Sequence, residues 1–239
     1  MKAILLGATG LVGSEVLKAL VSSPACEEVR ALVRNPLLIS HPKLNQVVVD
    51  FDCIHDFSTQ FTGYDTVFNC LGTTLRKAGS QQAFRQVDYT YPLETAKIAR
   101  TEGAQNFLFV SSVGADPQSG NFYLKTKGQL EESLRQLKFP ETHCFRPSLL
   151  LGERTESQAL EKLFIAVASS LAPLIHTFFR GPLQKYQPVQ ATKVAQAMVN
   201  AALSSPDSPH TGGAVNAHSE FYIHECLRWY GRMNGRIQC

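Results

Sequence analysis

Met1-Lys-Ala-Ile-Leu-Leu-Gly-Ala-Thr-Gly-Leu-Val-Gly13 is the stretch that decides the fold of this chain. A short apolar run is followed by Gly7, Gly10 and Gly13 at the spacing G-x-x-G-x-x-G, and Ser14 then opens a helical pattern. In such a strand-turn-helix unit the first glycine permits a tight reversal, and the second lets a pyrophosphate approach the backbone. The third lets the helix pack closely on the strand, and the free amides at the helix N-terminus face the phosphate charge. The stretch therefore predicts a dinucleotide site rather than an ordinary turn.

Short apolar runs and helical patterns alternate after this unit. Continuous apolar runs of this length are typical of strands that are covered on both faces. The alternation predicts an α/β fold, a Rossmann-type doubly wound parallel sheet with a small C-terminal extension on the substrate side. Pro92 lies within a helical segment and predicts a kink or a restart of the helix there. The strands are expected at Val29–Val33, Gln46–Asp50, Thr66–Cys70, Asn106–Ser111 and Thr142–Arg146, and the helices at Leu11–Val21, Gln82–Arg100 and Tyr123–Leu137.

The pattern loosens beyond Arg146. We expect one domain over residues 1–239, with residues 151–239 forming the substrate-side region. In this region the sequence predicts helices at Ser157–Leu171 and Ala191–Leu203, a short strand near Ala214 and a final helical stretch at His218–Tyr230.

Composition excludes several classes of protein. The chain has 239 residues, of which 44% are apolar and 18% charged, and its formal net charge of +3 indicates neither a nucleic-acid nor a membrane partner. No apolar run reaches the length of about 18 residues that a membrane span needs. The histidines do not form a zinc motif, so we expect no metal. The six cysteines include no C-x-x-C pair, which predicts buried, reduced thiols and a cytoplasmic protein.

The end of the second predicted strand indicates which dinucleotide fits. An acid at this position binds the ribose hydroxyls of NAD, whereas an arginine accommodates the 2′-phosphate of NADP. The strand ends in Leu32-Val33-Arg34-Asn35 without an acid, which favours NADP(H) with Arg34 at the phosphate. Asp50, at the end of the third predicted strand, fits two roles, accepting from the adenine amino group or capping a turn. The sequence does not separate these two roles.

Tyr123 and Lys127 stand one turn apart on one face of a predicted helix. That face continues through leucines at positions 130, 134 and 137, so Lys127 is in phase with the buried stripe. A lysine without a function more often lies on the solvated side. An ammonium close to a phenol lowers the phenol pKa toward the range that is useful for exchanging a proton with a carbonyl oxygen.

Ser111 and Ser112 end the fifth predicted strand, before this helix. A serine hydroxyl beside a tyrosine and a lysine can hold a carbonyl oxygen while a nicotinamide ring exchanges a hydride. Each of these residues taken alone also suits a structural role. Their order behind a glycine turn favours a site for carbonyl reduction.

Five motifs in this order resemble the short-chain dehydrogenase/reductase superfamily, and within it the atypical branch around the HIV Tat-interactive protein family. The resemblance extends over about residues 1–200. The motifs are Gly-Ala-Thr-Gly-Leu-Val-Gly13, Cys-Leu-Gly-Thr-Thr74, Ser-Ser-Val-Gly-Ala-Asp116, Tyr-Leu-Lys-Thr-Lys127 and Phe-Arg-Pro147.

The resemblance implies a Rossmann fold that binds NADPH, with Tyr123 exchanging the proton, Lys127 gripping the nicotinamide ribose and Ser112 as the serine partner. It also implies contacts from the loop after the fourth strand and from the segment after Arg146. The candidate cofactor-binding residues are then Gly7, Thr9, Gly10, Leu11, Val12, Arg34, Asp50, Leu71, Gly72, Ser111, Tyr123, Lys127, Pro147 and Leu150.

Two functions fit these residues. The first is an NADPH-dependent oxidoreductase that acts on a carbonyl or activated double bond of a small molecule, with Tyr123 as the proton donor. The second is a redox sensor that binds NADPH and acts through a protein partner without turnover. The complete Ser-Tyr-Lys set favours the enzyme, whereas the short substrate-side region favours the sensor. The sequence does not indicate an oligomeric state.

Overall fold

The computed structural model describes residues 1–148, 150–151, 189–204 and 226–230. Within these ranges the strands are β1 (Lys2–Leu6), β2 (Glu28–Val33), β3 (Leu44–Val48), β4 (Thr66–Asn69), β5 (Asn106–Val110), β6 (Glu141–Phe145), β7 (Leu150–Leu151), β8 (Val189–Gln190) and β9 (Cys226–Tyr230). Seven of them form one sheet in the order β3-β2-β1-β4-β5-β6-β9, in which β9 alone runs antiparallel to its neighbour. The short strands β7 and β8 pair separately in parallel.

Within the same ranges, helical segments connect the parallel strands of the main sheet, except that a loop joins β2 to β3. The helices are α1 (Leu11–Ser22), α2 (Leu75–Ala78), α3 (Gln81–Arg85), α4 (Tyr91–Thr101), α5 (Phe122–Gln136) and α6 (Ala191–Leu203), with a 3₁₀ segment at Phe51–Phe61 and a π-helical turn at Gln86–Thr90. Their bounds agree with the predicted helices α1, α5 and α6 to within a residue. Pro92 lies in the first turn of α4, directly after the π-helical turn at Gln86–Thr90, so the predicted disturbance of the helix takes the form of a change in its hydrogen-bond pattern just before the proline.

The core consists of two layers, one on each face of the sheet. Leu5 of β1 packs with apolar residues of α1 and α6, such as Val16 and Met198. Ile4, the neighbouring residue, faces the opposite layer, which α4 and α5 cover with residues such as Leu130. Side chains of a strand alternate between its faces, so a strand covered on both must be apolar throughout. This arrangement confirms the predicted doubly wound α/β fold.

The predicted helix at His218–Tyr230 is wrong in its last part, because Cys226–Tyr230 forms strand β9. This strand runs along β6 with Glu141 opposite Tyr230 and Phe145 opposite Cys226. Pairing satisfies the backbone groups that the edge of β6 would otherwise expose, and tertiary pairing of this kind overrides a helical pattern. The predicted helix at Ser157–Leu171 and the predicted strand near Ala214 lie outside the described residues.

The prediction of buried thiols is correct for Cys26 and Cys144 and wrong for Cys53, which is exposed. Cys53 lies in the 3₁₀ segment, where Phe51 and Ile54 turn into the core. In the described part of the chain, no helix has both the length and the hydropathy required to cross a membrane.

Candidate cofactor and active site

The carboxyl ends of β1 and β4 meet where the strand order changes direction, since β1 lies between β2 and β4. Ligands of doubly wound sheets bind in the crevice outside this point. Gly7, directly after β1, has a φ of 76°, and a Cβ there would lie 2.5 Å from the carbonyl oxygen of Cys70. A Cβ on Gly13 would overlap the carbonyl of Gly7. The backbone of the glycine turn therefore packs directly against the backbone of helix α1 and against that of the loop after β4.

The N-terminus of α1 fits the pyrophosphate of a dinucleotide. Gly10 is its N-cap residue, no side chain accepts from the first amides, and the first turn carries no acidic residue. The Gly10 amide itself donates to the Gly7 carbonyl at 2.8 Å. The remaining amides and the positive end of the helix dipole favour a bound anion. Of the other predicted contacts here, Thr9 is exposed, Leu11 is half-buried and Val12 is buried.

The two residues predicted for the adenosine half lie at neighbouring strand ends. Arg34 follows β2 directly and is exposed. Asp50 follows β3, and its Oδ1 accepts from the Asp52 amide at 2.9 Å, which caps the 3₁₀ segment. Of the two roles that the sequence left open for Asp50, the structure thus shows turn capping.

The loop after β4 is shaped by a buried amide side chain. Asn69 is 2% exposed, and its Oδ1 accepts from the Leu71 amide at 3.1 Å. This turn brings Gly72 beside the buried end of Lys127, whose Nζ lies 4.0 Å from the position of a Cβ on Gly72. Leu71 and Gly72, predicted as cofactor-loop contacts, therefore lie between the glycine turn and helix α5.

Lys127 forms a buried ion pair with Asp88. The distance from Nζ to Oδ1 is 2.8 Å, and the two side chains are 5% and 1% exposed. Burial acts to lower the pKa of Lys127, but the Asp88 carboxylate and, more weakly, Tyr123 outweigh it and hold that pKa above its ordinary value. Lys127 is therefore a cation in this site.

Asp88 also holds the loop after β4, because its Oδ2 accepts from the Thr73 amide at 2.8 Å. It lies in the π-helical turn between α3 and α4. Such turns are rare in proteins, and those that occur are often found at functional sites. One carboxylate thus joins the predicted active-site lysine to the predicted cofactor loop.

Tyr123 lies in the first turn of α5, where Asn121 is the N-cap and accepts from the Leu124 amide at 3.2 Å. The phenol is half-buried, and its ring packs against that of the fully buried Phe84 at a centroid distance of 5.6 Å. The predicted helical phase is confirmed, since Lys127 is buried together with Leu130 and Leu134.

Ser112 lies in the loop that follows β5 and is half-buried. Its hydroxyl donates to the carbonyl of the adjacent Val113 at 3.3 Å, a long contact that a stronger acceptor can replace. The loop then reaches the turn of α5 that holds Tyr123, because the Asp116 amide donates to the Leu124 carbonyl at 3.2 Å.

Backbone hydrogen bonds tie the loops after β5 and β6 together. The Ser111 amide donates to the Phe145 carbonyl at 2.7 Å, and the Val113 amide donates to the Pro147 carbonyl at 3.0 Å. The Ser111 hydroxyl is buried and donates to Glu131, so it faces helix α5. Leu150 lies farther along, in β7, paired with Val189.

The described contacts therefore link the glycine turn, the loop after β4, Lys127, Tyr123 and the two loops that contain Ser112 and Pro147. They do not bring Arg34 or Asp50 to this group.

Two buried carboxylates, Asp88 and Glu131, were missed from the sequence. The helical phase that singled out Lys127 includes Glu131 one turn later and provides a signal for it. For Asp88 the signal is only general, namely that a buried lysine needs a buried counter-ion.

A family model described as NAD(P)H-binding matches residues 7–161. The chain is 38% identical over 210 residues to protein FMP52-1, mitochondrial, of Scheffersomyces stipitis, covering 86% of this chain and 89% of that protein. It is also 38% identical over 162 residues to protein HTATIP2 of Rattus norvegicus, covering 66% of each chain. These comparisons confirm the resemblance to an atypical short-chain dehydrogenase/reductase and the expectation of a nicotinamide cofactor.

Among solved structures, the chain resembles a short-chain dehydrogenase/reductase superfamily protein from Agrobacterium tumefaciens with bound NAD. The TM-score is 0.62 at 16% identity, with 87% of this chain and 75% of that chain covered. At this level of identity the likeness supports the Rossmann-type fold.

The expectation of a cytoplasmic protein is contradicted by these relatives. Several yeast FMP52 proteins that match the chain over most of its length are named mitochondrial. That expectation rested on the spacing of the cysteines, and reduced thiols are found in more than one compartment.

Proposed function

The chain belongs to the NAD(P)H-binding family, as an atypical short-chain dehydrogenase/reductase, and from this we propose that it is an NADPH-dependent oxidoreductase. Its substrate is a small molecule with a carbonyl group or an activated double bond. The observation that carries the proposal is the pairing on helix α5. Tyr123 is half-buried in the first turn, and Lys127 is a buried cation one turn later, beside the cofactor loop.

Each side chain has a role in this reaction. The glycine turn and the N-terminus of α1 hold the pyrophosphate. When bound, the nicotinamide supplies the hydride. Ser112 Oγ donates a hydrogen bond to the substrate oxygen and fixes its position. Tyr123 Oη donates its proton to that oxygen as negative charge develops on it, and the Lys127 ammonium stabilises the phenolate that remains.

The preference for NADPH rests on Arg34. This exposed guanidinium stands at the carboxyl end of β2, the strand next to β1, where the adenosine ribose lies in this architecture. Planar guanidinium groups suit phosphate oxygens because they bind them in a bidentate way.

Arg34→Ala is expected to weaken NADPH binding about tenfold or more and to change NADH binding less than about twofold, because only NADPH carries the 2′-phosphate. Titration of the two dinucleotides by protein fluorescence measures both dissociation constants. Lys18→Ala is the matched control, since it removes another exposed cation, 72% exposed on α1. Equal losses for NADPH and NADH would show that Arg34 does not read the 2′-phosphate.

The proposed reaction is tested with NADPH deuterated at C4 of the nicotinamide and a panel of aldehydes, ketones and enones. NADPH oxidation with deuterium on the former carbonyl or alkene carbon of the product is the expected result. The measurement follows the transferred atom, so it separates hydride transfer from oxidation of NADPH by dissolved oxygen.

NADPH binding without deuterium transfer to any member of the panel counts against the oxidoreductase. The same result favours the second function, a sensor that signals through a protein partner. A sensor also requires that the partner changes the affinity for NADPH by the same factor as NADPH changes the affinity for the partner.

A further inference from the structure

Helix α5 carries a second buried charge, one turn beyond Lys127. Glu131 is 4% exposed. Its Oε1 accepts from Arg146 Nε at 3.0 Å, and its Oε2 accepts from Arg146 Nη2 at 2.5 Å. This is a bidentate pair, the geometry that makes a guanidinium-carboxylate contact strong and directional.

The same carboxylate binds two more side chains at the ends of the strands. The Ser111 hydroxyl, just after β5, donates to Glu131 Oε1, and the Cys144 thiol of β6 approaches that oxygen at 3.4 Å. Arg146 follows β6 directly. Glu131 therefore joins α5 to the carboxyl ends of both β5 and β6.

Stability alone gives little reason for this arrangement. Replacing a buried ion pair by apolar side chains of similar volume is often neutral or stabilising, because two charges must be desolvated. What the network does provide is fixed geometry, because the bidentate pair is directional and the Ser111 and Cys144 contacts hold the same carboxylate.

The network fixes the positions of the residues that come next in the chain after Ser111 and Arg146. Ser111 precedes Ser112, and Arg146 precedes Pro147, so each bond to Glu131 orients the residue next to a predicted contact of the nicotinamide half. The helix that carries Glu131 also carries Tyr123 and Lys127 at successive turns.

We infer that Glu131 is a positioning residue, which holds Ser112 and Pro147 against the nicotinamide half of the site while α5 holds Tyr123 and Lys127. The inference rests on the proposed function, because it assumes that the nicotinamide ring lies among these residues. It assigns no part in proton transfer to Glu131 itself.

The test compares two ligands that share their adenosine half. NADPH contains the nicotinamide riboside, whereas 2′-phospho-ADP-ribose has a ribose without nicotinamide in its place. For Glu131→Gln we expect about tenfold weaker binding of NADPH and less than about twofold weaker binding of 2′-phospho-ADP-ribose. The amide keeps the shape of the side chain and removes the charge that orients Arg146.

The matched control is Glu132→Gln, which makes the same change at the adjacent, exposed position of α5 and is expected to alter neither affinity. Ser111→Ala removes a single hydroxyl from the same network and is expected to fold even if Glu131→Gln does not. For it we expect about threefold weaker NADPH binding with the same selectivity.

Equal losses for the two ligands, or no loss for either, in a folded variant would overturn the inference. The measurement involves no turnover. If Glu131→Gln shows the selective loss of NADPH binding while the wild-type protein transfers no deuterium, the result supports the positioning role and counts only against the oxidoreductase.

Discussion

Tyr123→Phe is expected to lower kcat for NADPH-dependent reduction by a factor of about 100 to 10,000, the usual contribution of a positioned general acid. The substitution removes one hydroxyl and keeps the ring, so the contact with Phe84 at a centroid distance of 5.6 Å remains. NADPH affinity is expected to change less than about threefold. Initial rates and a binding titration on the same preparation measure the two quantities.

Tyr89→Phe is the matched control for this experiment. Tyr89 lies in the π-helical turn, its hydroxyl contacts Ser133 Oγ of α5 at 3.0 Å, and it has no role in the proposed reaction. Its loss is expected to lower kcat less than about twofold. If Tyr123→Phe retained more than half of the wild-type kcat, another group would have to donate the proton.

Asp88→Asn is expected to lower the free energy of unfolding at neutral pH by about 3–5 kcal/mol, the range for a buried ion pair that loses one partner. The amide leaves the Lys127 ammonium buried without a compensating charge. It keeps an oxygen for the Thr73 amide, so the loss reports mainly the charge of Asp88. Chemical denaturation of the two proteins gives the difference.

The pH dependence of this difference has a definite sign. In the wild-type protein the pKa of Lys127 is raised by Asp88 against the effect of burial, so the stability from the pair is complete below the ordinary lysine value of 10.5 and is lost above it. Without Asp88, we expect the effect of burial to outweigh the weaker effects of Tyr123 and Cys144 and to bring the pKa of Lys127 below that value. The unfolded variant then binds more protons than the folded one, and its stability rises with pH.

The loss caused by Asp88→Asn should therefore be largest near pH 7 and should shrink as the pH approaches 10. The other groups that act on Lys127 are Tyr123 and Cys144, and neither is altered. Combining Asp88→Asn with Lys127→Met removes both charges and is expected to recover most of the lost stability at pH 7. A loss that is constant with pH, or that the double variant does not recover, would contradict this account.

The fold was predictable because its signals are local. The glycine turn needs backbone approaches that a Cβ would block, so it specifies a strand, a turn and a helix within thirteen residues. The phase of α5 likewise placed Lys127 on the buried stripe. Each inference required only the spacing of residues within one short segment, which a single sequence shows directly.

The partners of these residues were not predictable in the same way. Asp88 reaches Lys127 across 39 positions of the chain, and Ser111 reaches Glu131 across 20. Both contacts depend on how α5 packs on the sheet and on the π-helical turn. Strand β9 was missed for a related reason, because its conformation is set by the edge of β6 and not by its own residues.

The antiparallel strand β9 has a consequence for synthesis of the protein. Every other strand of the main sheet ends by Phe145, and about 80 residues separate it from Cys226. At a translation rate of about 5–20 residues per second, the outer edge of β6 waits roughly 4–16 seconds for its partner. During that interval β9 cannot yet pair with the outer edge of β6, which lies beside the residues that orient the active site. Until β9 has been synthesised, the backbone groups of β6 that it later pairs with can bond to another strand.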